Sequence, residues 1–348
     1  MGRSGTRLLV SRRRTRYAMT PVRLVVTGGA GFIGSTYVRH VARERPGDEI
    51  VVLDALTYAG NRANLDGVDV ELVVGDICDE VVVERALQDA DAVVHFAAES
   101  HVTRSEKDPD IFHRTNVTGT LTLLEAACRH EVERFVHVST DEVYGDAQGH
   151  EPFREDDKEP GDHQATSAYA KSKALADDVA ASYRDRLHVN IVRPTNNFGP
   201  RQFPEKAFPR WATRVLRGEP ISLWGVGDQV RDWLFAPDNA RAIDLVLAVA
   251  PAGEIYNIGA NHEPEIKNRD LAHWLAGRMH DRGARIEHQL DRREHHDFRY
   301  SVDTAKITAL GWSPTADVWG SFEETLRWYA DNEDWWRPLI AEAERIYA

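Results

Sequence analysis

Three short stretches carry residue types that do chemistry, at the spacings that chemistry requires: Thr27-Gly28-Gly29-Ala30-Gly31-Phe32-Ile33-Gly34, Thr140-Asp141-Glu142 and Tyr169-Ala170-Lys171-Ser172-Lys173. In the first, Gly28, Gly31 and Gly34 recur every three residues, and Gly29-x-Gly31-x-x-Gly34 overlaps them. Glycine there allows a tight turn and lets backbone N–H groups close on a phosphate at the positive end of a helix. In the last stretch, the four-residue step from Tyr169 to Lys173 puts a phenol and an ammonium on one helix face. A phenol with an ordinary pKa near ~10 is a poor base at neutral pH, and an adjacent cation stabilises its ionised form. Such a pair can take the proton of an alcohol while hydride leaves the same carbon. Hydride transfer alone needs no carboxylates, so the Asp141-Glu142 doublet implies a further acid–base step on the substrate.

These residues need a scaffold that brings them together, and the hydrophobic pattern supplies one. Apolar strands alternate with amphipathic helices through roughly the first 200 residues, the signature of an α/β, Rossmann-like doubly wound parallel sheet. The pattern predicts strands over Arg23–Thr27, Ile50–Asp54, Val70–Gly75, Ala92–Phe96, Arg134–Ser139 and His188–Arg193. It predicts helices over Ile33–Arg45, Val81–Ala90, Asn116–His130 and Ala170–Asp185. The glycine turn therefore follows a strand and opens a helix, as dinucleotide binding requires. Asp54 ends the second strand about 20 residues beyond the last glycine, where a carboxylate meets the adenosine ribose. An acid there repels a 2′-phosphate, which favours NAD over NADP. Asp76 follows the third strand and either meets the adenine or caps the next helix.

Beyond Asn196-Asn197-Phe198-Gly199-Pro200 the texture changes, with Pro204, Pro209 and Pro220 punctuating short elements. A hairpin is expected from Ile221–Trp224 and Val230–Phe235, turning through Gly225–Gln229. A helix near Asn268–His280, a strand near Arg285–Gln289 and a helical C-terminal region should follow. The expected organisation is a dinucleotide-binding domain over 19–195, to which some later segments return, and a smaller α/β substrate-binding domain mainly over 196–348. The latter would lie over the carboxyl ends of the strands, where doubly wound sheets place ligands.

Composition narrows the function. A formal net charge of −13 argues against nucleic-acid binding and suits a small, well-gripped ligand. Cys78 and Cys128 are the only cysteines, which leaves no disulfide framework or cysteine zinc site. No apolar run reaches the ~20 residues needed to span a bilayer, and a cytoplasmic protein is expected. The first eighteen residues carry Arg3, Arg7, Arg12, Arg13, Arg14 and Arg16 and no acid. They read as a basic targeting tail or as sequence ahead of a natural start at Met19; the expectation is that residues 1–18 are disordered and functionally silent. Fifteen histidines include the His295-His296 pair, yet no ligand set accompanies it and the chemistry above calls for no metal.

Together these residues resemble the extended short-chain dehydrogenase/reductase family from Arg23 onward. Within it, four segments resemble the dTDP-glucose 4,6-dehydratase branch: His95-Phe96-Ala97-Ala98-Glu99-Ser100-His101-Val102, Val138-Ser139-Thr140-Asp141-Glu142-Val143-Tyr144-Gly145, Asn196-Asn197-Phe198-Gly199-Pro200 and Trp328-Tyr329-Ala330-Asp331-Asn332-Glu333-Asp334-Trp335-Trp336. The Thr-Asp-Glu triplet discriminates, since epimerases and decarboxylases of the family lack the acidic doublet. The resemblance implies NAD held by Gly28, Gly31, Phe32, Ile33, Gly34, Asp54, Asp76, Ile77 and Ala97, with Tyr169 and Lys173. It implies a nucleotide-sugar substrate gripped by His101, Arg104, Asn196, Asn197, Lys206, Arg231 and Arg299.

The implied chemistry is oxidation at C4 by Tyr169 with Thr140 on the same oxygen, proton removal from C5 by Glu142, and protonation of the departing C6 hydroxyl by Asp141. Pairing of the helices Asn116–His130 and Ala170–Asp185 across a two-fold axis is implied as well, giving a homodimer. Thr103 replaces the usual aspartate, Ala168 the common proline, and Arg293-Glu294-His295-His296-Asp297 lacks the usual proline and glycine. These departures border the substrate site and leave the nucleobase open. The rival readings are a UDP-glucose 4,6-dehydratase or 4-epimerase, and a non-catalytic NAD-binding regulator, which should have lost one of the five catalytic residues.

Overall fold

Runs such as Leu24-Val25-Val26 and Val51-Val52-Leu53 are apolar on both faces of a strand and demand cover on both. The computed structural model, which describes residues 21–157, 164–290 and 297–347, gives them that cover in a seven-stranded parallel sheet. Its strands are β1 (Arg23–Thr27), β2 (Glu49–Asp54), β3 (Glu71–Val74), β4 (Ala92–His95), β5 (Arg134–Val138), β6 (Val189–Pro194) and β7 (Ile255–Ile258). They lie in the order β7-β6-β5-β4-β1-β2-β3. Strand order reverses between β1 and β4, which opens a crevice at the carboxyl ends of the strands. The expectations for residues 1–18 and for His295-His296 lie outside the described residues.

One face is covered by α1 (Phe32–Glu44) and the later helix Ala236–Val249, where Tyr37, Val38, Val41, Ile243 and Val246 are buried. The other is covered by α2 (Glu80–Leu87), α3 (Gly119–Arg129) and α4 (Ala168–Ser182), through Val83, Leu123, Ala127 and Ala180. Local chemistry sets the helix starts. The Asp79 carboxylate accepts from the Val81 and Val82 amides and caps α2, and Ser167 Oγ accepts from Ala170 N at 3.0 Å to cap α4. Asp76 is therefore not the cap of that helix. The expected helix over Asn116–His130 opens instead with a wide π turn, Arg114–Thr118, whose Arg114 and Thr115 face the crevice.

One feature departs from the sequence reading. Ile221–Trp224 and Val230–Phe235 do not form a hairpin. Ile221–Trp224 pairs in parallel with Ile286–Gln289, Val230–Arg231 pairs antiparallel with Ile266–Lys267, and Trp233–Phe235 runs parallel to Asn196–Phe198. The glycine-rich turn is real, but more distant segments outcompete the local partner. The chain after 196 gives both Ala236–Val249 and β7 to the main sheet. What remains packs as its own aromatic cluster, in which Phe198, Phe208, Trp233 and Trp336 surround Phe322 and its neighbours. The Phe198 and Phe322 rings stack at 4.0 Å between centroids. This cluster stiffens the wall facing the sheet.

Candidate active site

The glycine turn is fixed by close approach. Gly28 sits at φ +68°, and a Cβ there would lie 2.6 Å from the Ala97 amide nitrogen at the end of β4. A Cβ on Gly34 would lie 2.2 Å from the Gly28 carbonyl oxygen, so helix and turn touch through hydrogen. Gly31 precedes α1 with no side-chain cap, which leaves the first-turn amides of Phe32, Ile33 and Gly34 to serve a ligand. Asp54 ends β2 with Oδ2 accepting from Ala30 N at 2.9 Å and Oδ1 from Leu56 N at 2.8 Å. Burial raises its pKa despite these amides. The ribose carboxylate expected from sequence thus also holds the turn in shape. Asp76 Oδ2 pairs with Arg114 at 2.7 Å, and Asp76, Ile77 and Ala97 line the same cleft.

At the end of β5, Thr140 caps a short 3₁₀ turn over Asp141–Tyr144. Its Oγ1 accepts from Glu142 N at 3.3 Å and donates to Asp141 Oδ1 at 3.2 Å. That hydroxyl fixes the Asp141 carboxylate and the Glu142 backbone, and both residues line the cleft rather than alternating away from each other as strand neighbours would. Asp141 is buried, and its Oδ2 has no hydrogen-bond partner among the described residues. Burial, then repulsion from Glu142, raises its pKa well above the usual carboxylate value. Glu142 is pushed up to about 7, mainly by burial, with Lys206 pulling the other way and Asp297 adding to the rise. The doublet thus holds one acid and one group poised to be a base at neutral pH.

On α4, Tyr169 and Lys173 face this doublet. Lys173 Nζ donates to Val138 O at 2.8 Å, which locks the ammonium beneath the sheet end. Burial draws its pKa down to about 8, opposed by the Asp177 carboxylate. The Tyr169 phenol is not lowered as the sequence led us to expect. Burial and the Glu142 charge raise it, with the Thr140 hydroxyl as the opposing hydrogen bond. A cation brought beside the phenol would act in the needed direction. Asp177, which sequence reasoning passed over, continues the four-residue step Tyr169, Lys173, Asp177 and could have been found by it. Its Oδ2 pairs with Arg193 of β6 at 3.0 Å, both side chains being fully buried.

A cleft of about 800 Å³ joins these groups to the opposite wall. His101, Asn196, Asn197, Lys206 and Arg231 all line it. Lys206 Nζ donates to Ser100 O at 2.8 Å, and Asn197 Nδ2 to Thr195 O at 2.9 Å. Burial pulls His101 down to about 2, with Lys206 and Arg104 adding to the effect, so its imidazole is neutral. Arg231 is buried, donates to Asp297 O at 2.8 Å and lies 4.4 Å over the Tyr300 ring. Tyr300, Glu205 and Trp224 also line the cleft; nothing in their local sequence distinguished them.

Two expected substrate contacts are not brought to this cleft. Arg104 pairs with Glu205 and Glu342, both at 3.3 Å, and lies 3.7 Å over Tyr58. Arg299 is paired to Glu265 at 2.6 Å and donates to His150 O at 2.8 Å, on the wall of a separate depression. Each guanidinium is drawn aside by a carboxylate from a distant segment.

The uncapped helix start, the glycine surface at Gly28 and Gly31 and the acid ending β2 fit a dinucleotide, so the residues suit the cofactor that the sequence suggests. Comparison with known proteins agrees. Residues 24–259 match the family described as NAD dependent epimerase/dehydratase. The dTDP-glucose 4,6-dehydratase of Streptomyces niveus is 43% identical, over 93% of this chain and 97% of that protein. Among solved structures, DesIV, a dTDP-glucose 4,6-dehydratase from Streptomyces venezuelae with NAD bound, is 45% identical with a TM-score of 0.84, covering 91% of this chain and 99% of that one. A UDP-glucose 4-epimerase from Thermus thermophilus in complex with NAD is similar at 31% identity and TM-score 0.80, covering 89% and 99%. Sheet order, glycine turn and sequence likeness agree, and the chain belongs to the NAD dependent epimerase/dehydratase family.

Proposed function

We propose that this chain dehydrates dTDP-glucose to its 4-keto-6-deoxy sugar, a hydro-lyase reaction in which NAD is consumed and regenerated within one turnover. The observation that carries the reading is that Asp141 and Glu142 share one cleft with the Tyr/Lys pair, where burial raises both carboxyls and brings Glu142 to about 7. An epimerase has no use for that doublet. The relatives at 43% and 45% identity act on dTDP-glucose, which favours this nucleotide over UDP. Gly28, Gly31, Phe32, Ile33, Gly34, Asp54, Asp76, Ile77 and Ala97 would hold the dinucleotide, which when bound supplies an acceptor that takes hydride from C4 and returns it to C6.

The protein's own groups move the protons. Tyr169 removes the C4 hydroxyl proton, assisted by the Lys173 charge and by the Thr140 hydroxyl on the same oxygen. The resulting ketone acidifies C5, Glu142 takes the C5 proton, and Asp141 gives its proton to the C6 hydroxyl, which leaves as water. Glu142 returns a proton to C5 as C6 is reduced. Lys206, Arg231 and Asn196 grip the diphosphate and sugar. In this reading residues 19–195 are mainly the cofactor domain and 196–348 mainly the sugar-nucleotide domain, with 236–258 returning to the former.

A homodimer through α3 and α4 is supported by Leu121 and Leu175, which leave 38% and 43% of their surfaces exposed on those helices. No helix among the described residues is long and apolar enough to cross a membrane, and we place the enzyme in the cytoplasm. Mass spectrometry of product formed from dTDP-glucose in D₂O tests the reaction. Loss of water with gain of one deuterium is expected; product with no net mass loss would make the chain an epimerase.

A further inference from the structure

The last described segment of the chain closes the substrate cleft from outside. The short helix Ile340–Arg345 and its continuation to Tyr347 reach both walls at once. On the cofactor-domain side, Arg104 Nη2 meets Glu342 at 3.3 Å and Lys107 Nζ donates to Ile346 O at 3.2 Å. On the opposite side, Arg210 of the helix Ala207–Leu216 grips Glu344 through Nε at 3.3 Å and Nη2 at 2.8 Å. Tyr347 completes the bridge. Its hydroxyl donates to Glu205 O at 2.6 Å, and the Arg210 guanidinium lies 3.8 Å over its ring.

The Tyr347 ring is part of the cleft lining, with centroids 6.2 Å from His101 and 6.4 Å from Trp224. It stands with residues of the substrate wall.

We infer that residues 340–347 are a strap tying the two walls of the cleft, and that Tyr347 is a positioning residue for the sugar nucleotide. This rests on the reading of the cleft as a nucleotide-sugar site. It accounts for Arg104, which is not part of the cleft lining and anchors the strap through Glu342. A strap that spans both walls sets the width of the cleft at the substrate end while leaving the cofactor end untouched. Its loss therefore weakens the grip on substrate more than it slows the proton transfers at Tyr169 and Glu142.

The test compares the intact chain with a variant lacking residues 340–348, with Tyr347→Ala and with Tyr347→Phe. The deletion and Tyr347→Ala should raise KM for dTDP-glucose, and the calorimetric Kd for dTDP, about tenfold. The turnover number should stay within about threefold and NAD affinity should not change. Tyr347→Phe, which keeps the ring on Arg210, should recover most of the lost affinity. Unchanged KM and dTDP affinity in the alanine variant would overturn the inference. So would a parallel loss of NAD affinity and turnover, which marks a purely structural contact. If the deletion does not fold, Tyr347→Ala and Glu344→Gln are judged by the same criteria. Should the intact chain fail to convert dTDP-glucose, the proposed reaction falls, while the dTDP calorimetry still decides the strap.

Discussion

At one end of the cleft, eight consecutive residues, Thr27–Gly34, shape the cofactor surface almost entirely with backbone. At the other, the substrate wall is assembled from Lys206, Arg231, Tyr300 and Tyr347, each held by contacts with a different part of the chain. A backbone surface is written locally, and its tolerance is set by atoms that cannot move. A side-chain wall is written in pairings, and its tolerance depends on which partner each side chain finds. The proposed catalytic residues lie between these extremes: Thr140, Asp141 and Glu142 are adjacent, yet only the fold brings Tyr169 to them.

The largest test of this contrast is Tyr169→Phe, which should cut turnover by about 10³-fold with NAD affinity retained. Glu142→Gln should come next, at about 10²-fold. That variant should accumulate reduced nicotinamide after the first hydride transfer, observed by its absorbance in a single turnover. Full turnover by this variant would remove Glu142 from its role. At the backbone end, Gly34→Ala forces a Cβ to within 2.2 Å of the Gly28 carbonyl. It should lower unfolding stability by about 3 kcal/mol and weaken NAD binding, read by denaturation and titration. Gly31→Ala, whose Cβ would lie 3.2 Å from the same oxygen, should fold better than it binds.

The pH profile should be narrow. Glu142, at about 7, must lose its proton to act as a base, so activity falls as pH drops below that value. Lys173, at about 8, must keep its charge, so activity falls again above it. Each limb should approach about tenfold per pH unit. In Glu142→Gln the first hydride transfer should show the alkaline limb alone. The smallest effects separate the two arginines. Arg231→Lys, in the cleft, should raise KM severalfold. Arg299→Ala should leave KM within about twofold and cost stability only on the order of 0.5 kcal/mol for its surface pair. Equal effects on KM would erase the distinction drawn between them.

Much of the sheet was legible because each strand is a continuous apolar run, and strand positions set by burial on both faces cannot slip far. The six strands expected from the pattern lie within about two residues of those observed. The seventh, Ile255–Ile258, was not read as a strand, because nothing in a short apolar run says which strand it pairs with. The expected hairpin at Gly225–Gln229 failed for the same reason. Its turn chemistry is local, but the partners Ile286–Gln289 and Ile266–Lys267 are not.

In the site, the glycine turn and the acidic doublet were legible as motifs, and the cleft contains them. The family resemblance assigns the same role to Arg231 and Arg299. A carboxylate at Glu265, 34 positions away, draws one aside. The phenol's raised pKa was hidden too, since proximity of Lys173 is visible in sequence while desolvation by the whole pocket is not.

Tyr169, Lys173 and Asp177 form a ladder along α4, and its last rung is bolted to β6 by the Arg193 guanidinium. Sliding or rolling the helix would tear apart two charges in a dry interior, at a cost of roughly 3–5 kcal/mol. In the proposed reaction the phenol must stay beside the C4 oxygen while the proton transfers at C5 and C6 run their course. What keeps it there is an ion pair that is absent from the cleft lining.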